Sequence, residues 1–180
     1  MDGEHNAFSA GRKAMVAFGV LTVAFWLSRA VFPQALPPLA PMPDFSGLVA
    51  EAKSVAPWIQ PKAGLDAPAG EIAASLRHEY ITAITMRWLQ IALGAAAGVL
   101  IALRRRAGRW LALGLCAVLL APFLYFQVRL GWQGRLTGYW RTYAEYSPRL
   151  VADGVAVLLF CAGTLAYLTR RRVWTQFSTG

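Results

Sequence analysis

Few residues of this 180-residue chain are of a type, and in a place, to do chemistry. Arg87 and Asp153 are the sharpest pair. Each stands about one turn inside an apolar block, Arg87 in MRWLQIALGAAAGVLIALRRR and Asp153 in RLVADGVAVLLFCAGTLAYL. A charge inside lipid is costly unless it is paired or reaches the headgroups, and it marks a functional site by default. If both residues lie near one membrane face, a buried ion pair would tie two helices together and line a small polar pocket. Snorkelling of Arg87 to the interface is the competing reading. His78 and Glu79, flanked by Arg77 and Tyr80, could form an isolated acid–base couple at a membrane surface. A metal centre needs several converging ligands, and the only other histidine is His5, so no metal or other cofactor is expected. Cys116 and Cys161 each sit inside an apolar block, outside CxxC spacing, where a thiol serves as a small hydrophobe. No GxSxG, HExxH or phosphate-cradling loop occurs, and the chain is not expected to be an enzyme.

These side chains hang on apolar blocks. The chain is 57% hydrophobic and 15% charged, where an ordinary globular domain has about a quarter of its residues charged. The apolar residues are gathered between arginines and prolines in runs near the length of a membrane span. The expected fold is all-α: a polytopic membrane protein, one domain over 1–180, with four transmembrane helices at about 14–32, 81–103, 110–128 and 149–169. The first block is positive then apolar, like a signal sequence, but lacks a small-x-small cleavage site. It reads as a retained span with Arg29 snorkelling beside Trp26. Residues 33–80 make a proline-rich extracytoplasmic loop, in which Phe45, Leu48, Val49, Ala52 and Val55 recur at helical spacing after Asp44 as N-cap. From Ala69 to Leu103 only scattered glycine interrupts a helix. Roughly 35 residues reach about 50 Å, well beyond the about 30 Å of a hydrocarbon core, so the amino end should project. The link RRRAGR forces an antiparallel hairpin, and Pro122 should kink the third span.

Packing and partners follow from the same blocks. Gly94 and Gly98 form GxxxG around three alanines, a surface that lets helix backbones approach closely where lipid supplies no other reason to associate. Trp132, Tyr139, Trp140 and Tyr143 fall on one helical face of the third connection, an interfacial aromatic segment that could equally dock a neighbouring subunit. The net charge is +9, and the arginines cluster at block ends rather than on an amphipathic stripe. That favours lipid headgroups as partner and excludes nucleic acid. Lys and Arg gather at 12–13, 104–109 and 170–172, which puts both termini in the cytoplasm of a bacterial inner membrane. The function expected is that of a non-catalytic accessory or scaffolding subunit of a larger inner-membrane complex, with other membrane subunits as partners. A small transport or export component using Arg87 and Asp153 is the alternative, and a lipid-headgroup enzyme using His78 and Glu79 comes last.

Overall fold

The computed structural model of the chain describes residues 2–32, 36–37, 39, 41–55, 68–134, 137–138, 141 and 148–177. The described residues form helices and no strand: α1 (Asp2–Ser28), α2 (Phe45–Val55), α3 (Ala69–Ala102), α4 (Arg106–Trp132), α5 (Pro148–Leu168) and the single turn α6 (Arg171–Trp174). Two compact units emerge, a larger one from Met1–Gln34 with Gln90–Gly180 and a smaller one from Ala35–Leu89. Three helices are long and apolar enough to cross a membrane: α3, α4 and the Val151–Leu168 part of α5. The chain thus has the make-up of a multi-pass membrane protein.

The first apolar block departs from expectation at its end. The helix stops at Ser28 and the chain turns through Phe32. Tight bonds from Arg29 N to Trp26 O (3.2 Å) and Ala30 N to Leu27 O (3.0 Å) close the last turn, and Pro33 biases the residue before it away from helix.

Within the larger unit the helices alternate in direction. Going up α1, Phe18 meets Tyr167 (ring centroids 4.6 Å apart) and Phe25 stacks on Phe160 (3.9 Å). Arg29 then meets Asp153. Rising numbers on α1 meet falling numbers on α5, so the two are antiparallel along nearly the whole of α5. The same holds for α1 and the last turns of α3, where Gly19 faces Gly98 and Ala102 while Trp26 faces Gly94. At one end of this unit Met15, Ala97, Ile101, Ala112, Leu168, Val173 and Phe177 form a buried cluster drawn from every helix of the unit and the chain after α6.

The turn from α3 into α4 is built by the arginines. Arg105 N bonds Leu100 O and Arg104 N bonds Ile101 O, both at 2.8 Å. This is the paired Schellman pattern that ends many helices, with the residue in the left-handed position usually glycine. Here that residue is Arg104, at φ 59°. Gly108 explains the closeness of the next helix: an added Cβ would lie 2.5 Å from Leu100 Cβ and 2.7 Å from Ile101 N.

In the smaller unit, Asp44 caps α2 by accepting from Ser46 N (3.1 Å) and Gly47 N (3.2 Å). Phe45 meets Tyr80 edge-on at 5.3 Å, and the Trp88 indole donates to Pro37 O at 2.8 Å. Among its described residues Leu36, Val49 and Ala73 are the buried apolar ones.

Candidate functional site

The end of α1 and the first turns of α5 bring Arg29 and Asp153 together. Arg29 Nη1 donates to Asp153 Oδ1 at 2.5 Å and Nη2 to Oδ2 at 2.8 Å, with each side chain 11% exposed. The sequence anchors Arg29 at the headgroups and offers Arg87 as a possible partner for Asp153. Instead both carboxylate oxygens accept from Arg29. A guanidinium fork matches a carboxylate at two points, the strongest partner available to a carboxylate in an apolar span. Arg87 is half-buried on the part of α3 that belongs to the smaller unit. Beside the ion pair lies a cavity of about 200 Å³, lined by Trp26, Arg29, Gln90, Leu119, Phe123 and Val157.

Gly94 and Gly98 lie where side chains cannot fit. A Cβ on Gly94 would collide with the Trp26 ring, and one on Gly98 would lie 2.8 Å from Gly19 O and Val23 N. Gly114, Gly154 and Gly163 face open space.

Other expected site residues are dispersed. His78 and Glu79 are exposed on α3. Trp132, at the end of α4, is 91% exposed beside a notch of about 250 Å³ shared with Tyr125, Val128, Arg129 and Gln133. Tyr139, Trp140 and Tyr143 lie outside the described residues, so the expected interfacial helix does too. Among the described residues no three metal-binding side chains gather.

Two groupings were not foreseen. Cys116 and Cys161, both buried and free, come within hydrogen-bonding reach of each other across α4 and α5, with Thr164 beside Cys116. Arg109 was counted as an interfacial anchor but is only 6% exposed. Its Nε donates to Leu168 O at 3.1 Å, and its guanidinium lies over the Trp174 ring at 3.5 Å and 5.1 Å from the Trp110 ring. The signal was in the sequence: a cation in the first turn of a span, next to tryptophan, has an aromatic face at hand.

The chain matches no family model, no curated protein and no solved structure.

Proposed function

We propose that the chain is a non-catalytic, four-span subunit that helps hold together a larger inner-membrane assembly. We count α1 as the fourth crossing, which its antiparallel run beside α5 from Tyr167 to Asp153 supports. The GxxxG of α3 is then its seat for α1. The observation that carries the subunit reading is how the larger unit uses its polar side chains. Arg29 binds Asp153, Arg109 the end of α5, and Arg104 Gln176 O, all ties within the same chain. Between Arg109 and Arg129 what faces outward on α4 is apolar and aromatic, with Val118, Leu124, Tyr125 and Val128 exposed, and Trp132 lies bare at the helix end. A lipid-facing surface that ends in a bare tryptophan suits a neighbouring membrane helix.

Purification of the tagged chain in mild detergent after cross-linking in the membrane tests this. Stoichiometric recovery of another membrane protein, weakened by Trp132→Ala, is the expected result. A lone monomer under every mild condition overturns it. One observation favours a second reading, a small transport or export component: the cavity beside Arg29 and Asp153. Solute flux in vesicles that survives filling that cavity by Val157→Trp, with the fold intact, removes the transport reading.

A further inference from the structure

Three basic stretches that are remote in sequence converge at one end of the larger unit. Arg104 Nε donates to Gln176 O at 2.8 Å, which fixes the α3–α4 turn against the chain after α6. Gly11 backs onto the same residue: a Cβ there would run into the Gln176 amide. Arg109, stacked on Trp174, holds α6 against α4. The exposed cations brought to this end are Arg12 and Lys13, Arg105 and Arg106, and the Arg170–Arg172 run. Residues 11–28, 93–132 and 154–177 contain no Asp or Glu, so none of these segments neutralises its own charge.

Ordinary positive-inside bias needs only arginines near span ends. It does not need them clamped to one another. Nor does it need the turn between two of them to hold a non-glycine residue in the left-handed conformation, which costs about 1–2 kcal/mol by itself. Trp110 and Trp174 meet edge-on at 6.5 Å at this end, 60% and 48% exposed. Half-exposed tryptophans mark the level of the headgroups. The cations therefore stand at the depth of lipid phosphates, and their summed charge exceeds what one singly charged headgroup neutralises.

We propose that this end of the bundle is a binding site for a phospholipid whose headgroup carries two phosphates, held between the α3–α4 turn and the α6 arginines, with Arg12 and Lys13 closing the third side. Clustered cations beside a span read anionic lipid through charge, and arginine adds paired hydrogen bonds to phosphate oxygens. The inference rests on the four-crossing arrangement proposed above and not on the subunit role. A monomer could bind such a lipid, so the co-purification test can fail while this one succeeds.

The experiment is native mass spectrometry of the full chain from micelles doped with diphosphatidylglycerol. Parallel samples carry phosphatidylglycerol at equal total charge, or phosphatidylcholine, and one arm adds inorganic pyrophosphate as competitor. The expected result is retention of one diphosphate lipid at least about tenfold tighter than phosphatidylglycerol. Arg105→Gln/Arg106→Gln/Arg171→Gln/Arg172→Gln should abolish it, at about fivefold per removed cation. Arg129→Gln/Arg149→Gln, two exposed arginines outside the three stretches, should leave it unchanged. Should the fourfold variant not fold, Arg171→Gln/Arg172→Gln carries the same test. Equal retention of the two anionic lipids overturns the proposal, as does retention indifferent to these variants. Displacement by pyrophosphate at concentrations comparable to the lipid overturns the lipid assignment in favour of a free diphosphate.

Discussion

At the scale of single residues, the molecule is governed by how each buried charge is matched. Asp153 is 7% exposed and held at two points by Arg29. Removing one member of such a pair strands the other, which typically costs about 3–5 kcal/mol, whereas replacing both by apolar groups of similar size is often neutral. Asp153→Ala should therefore lower unfolding free energy in detergent by about that amount, and Arg29→Met/Asp153→Leu should recover most of it. Equal destabilisation by the single and the double variant would show that the residues matter for shape and not as a pair. Arg109 makes a second case. Lysine keeps the charge but loses the planar face on Trp174, so Arg109→Lys should cost about 1–2 kcal/mol and redshift tryptophan emission as Trp174 is released. The sequence marked Asp153 as an acid inside an apolar run, where a cation partner would lower the cost of burial. It offered Arg87 as the partner and read Arg29 as an interfacial anchor, because the choice turns on which helices lie side by side.

At the scale of helices, the glycines separate packed faces from open ones. Gly94 and Gly98 sit against Trp26 and Gly19, while Gly114 has nothing within reach of an added methyl. Gly98→Ala should push α1 off α3, because backbone atoms of Gly19 and Val23 lie 2.8 Å from the added methyl and cannot yield. Gly114→Ala should be silent. Thermal unfolding in detergent, with disulfide trapping between cysteines introduced on α1 and α3, distinguishes them; a harmless Gly98→Ala would mean that the two helices do not pack through this seam. Helix positions were largely readable because apolar runs of span length leave little choice. The short helix after Asp44 was readable too, since its cap and apolar period agree. The end of α1 was not. Hydropathy runs on to Phe32, but the ladder of hydrogen bonds ends at Ser28, and composition alone does not report where backbone bonds shorten to the tighter turn. The meeting of Cys116 with Cys161 was equally hidden, because it depends on the rotation of α4 against α5 and not on any spacing within either.

At the scale of the whole molecule, the proposed four-span arrangement rests on α1 crossing the bilayer. Its apolar helical part, Ala14–Ser28, has fifteen residues. At 1.5 Å each that is about 22 Å, short of an about 30 Å hydrocarbon core. Two features close the gap. Arg12 and Lys13 are long enough to reach headgroups from inside the boundary. At the other end Arg29 is neutralised by Asp153, so the turn beyond Ser28 adds depth without an uncompensated charge. The antiparallel run from Phe18–Tyr167 to Arg29–Asp153 supports α1 crossing beside α5. Four crossings place Arg12 and Arg171 on one side of the membrane; three would place them on opposite sides. In a Cys116→Ala/Cys161→Ala background, Arg12→Cys and Arg171→Cys should both resist an impermeant maleimide on intact cells and react once the cells are permeabilised. Thr137→Cys, on the exposed connection after α4, should react at once. Labelling of Arg12→Cys from outside while Arg171→Cys stays protected would remove α1 from the bilayer. It would also dismantle the basic end of the bundle, since Arg12 and Lys13 would no longer stand beside the α6 arginines.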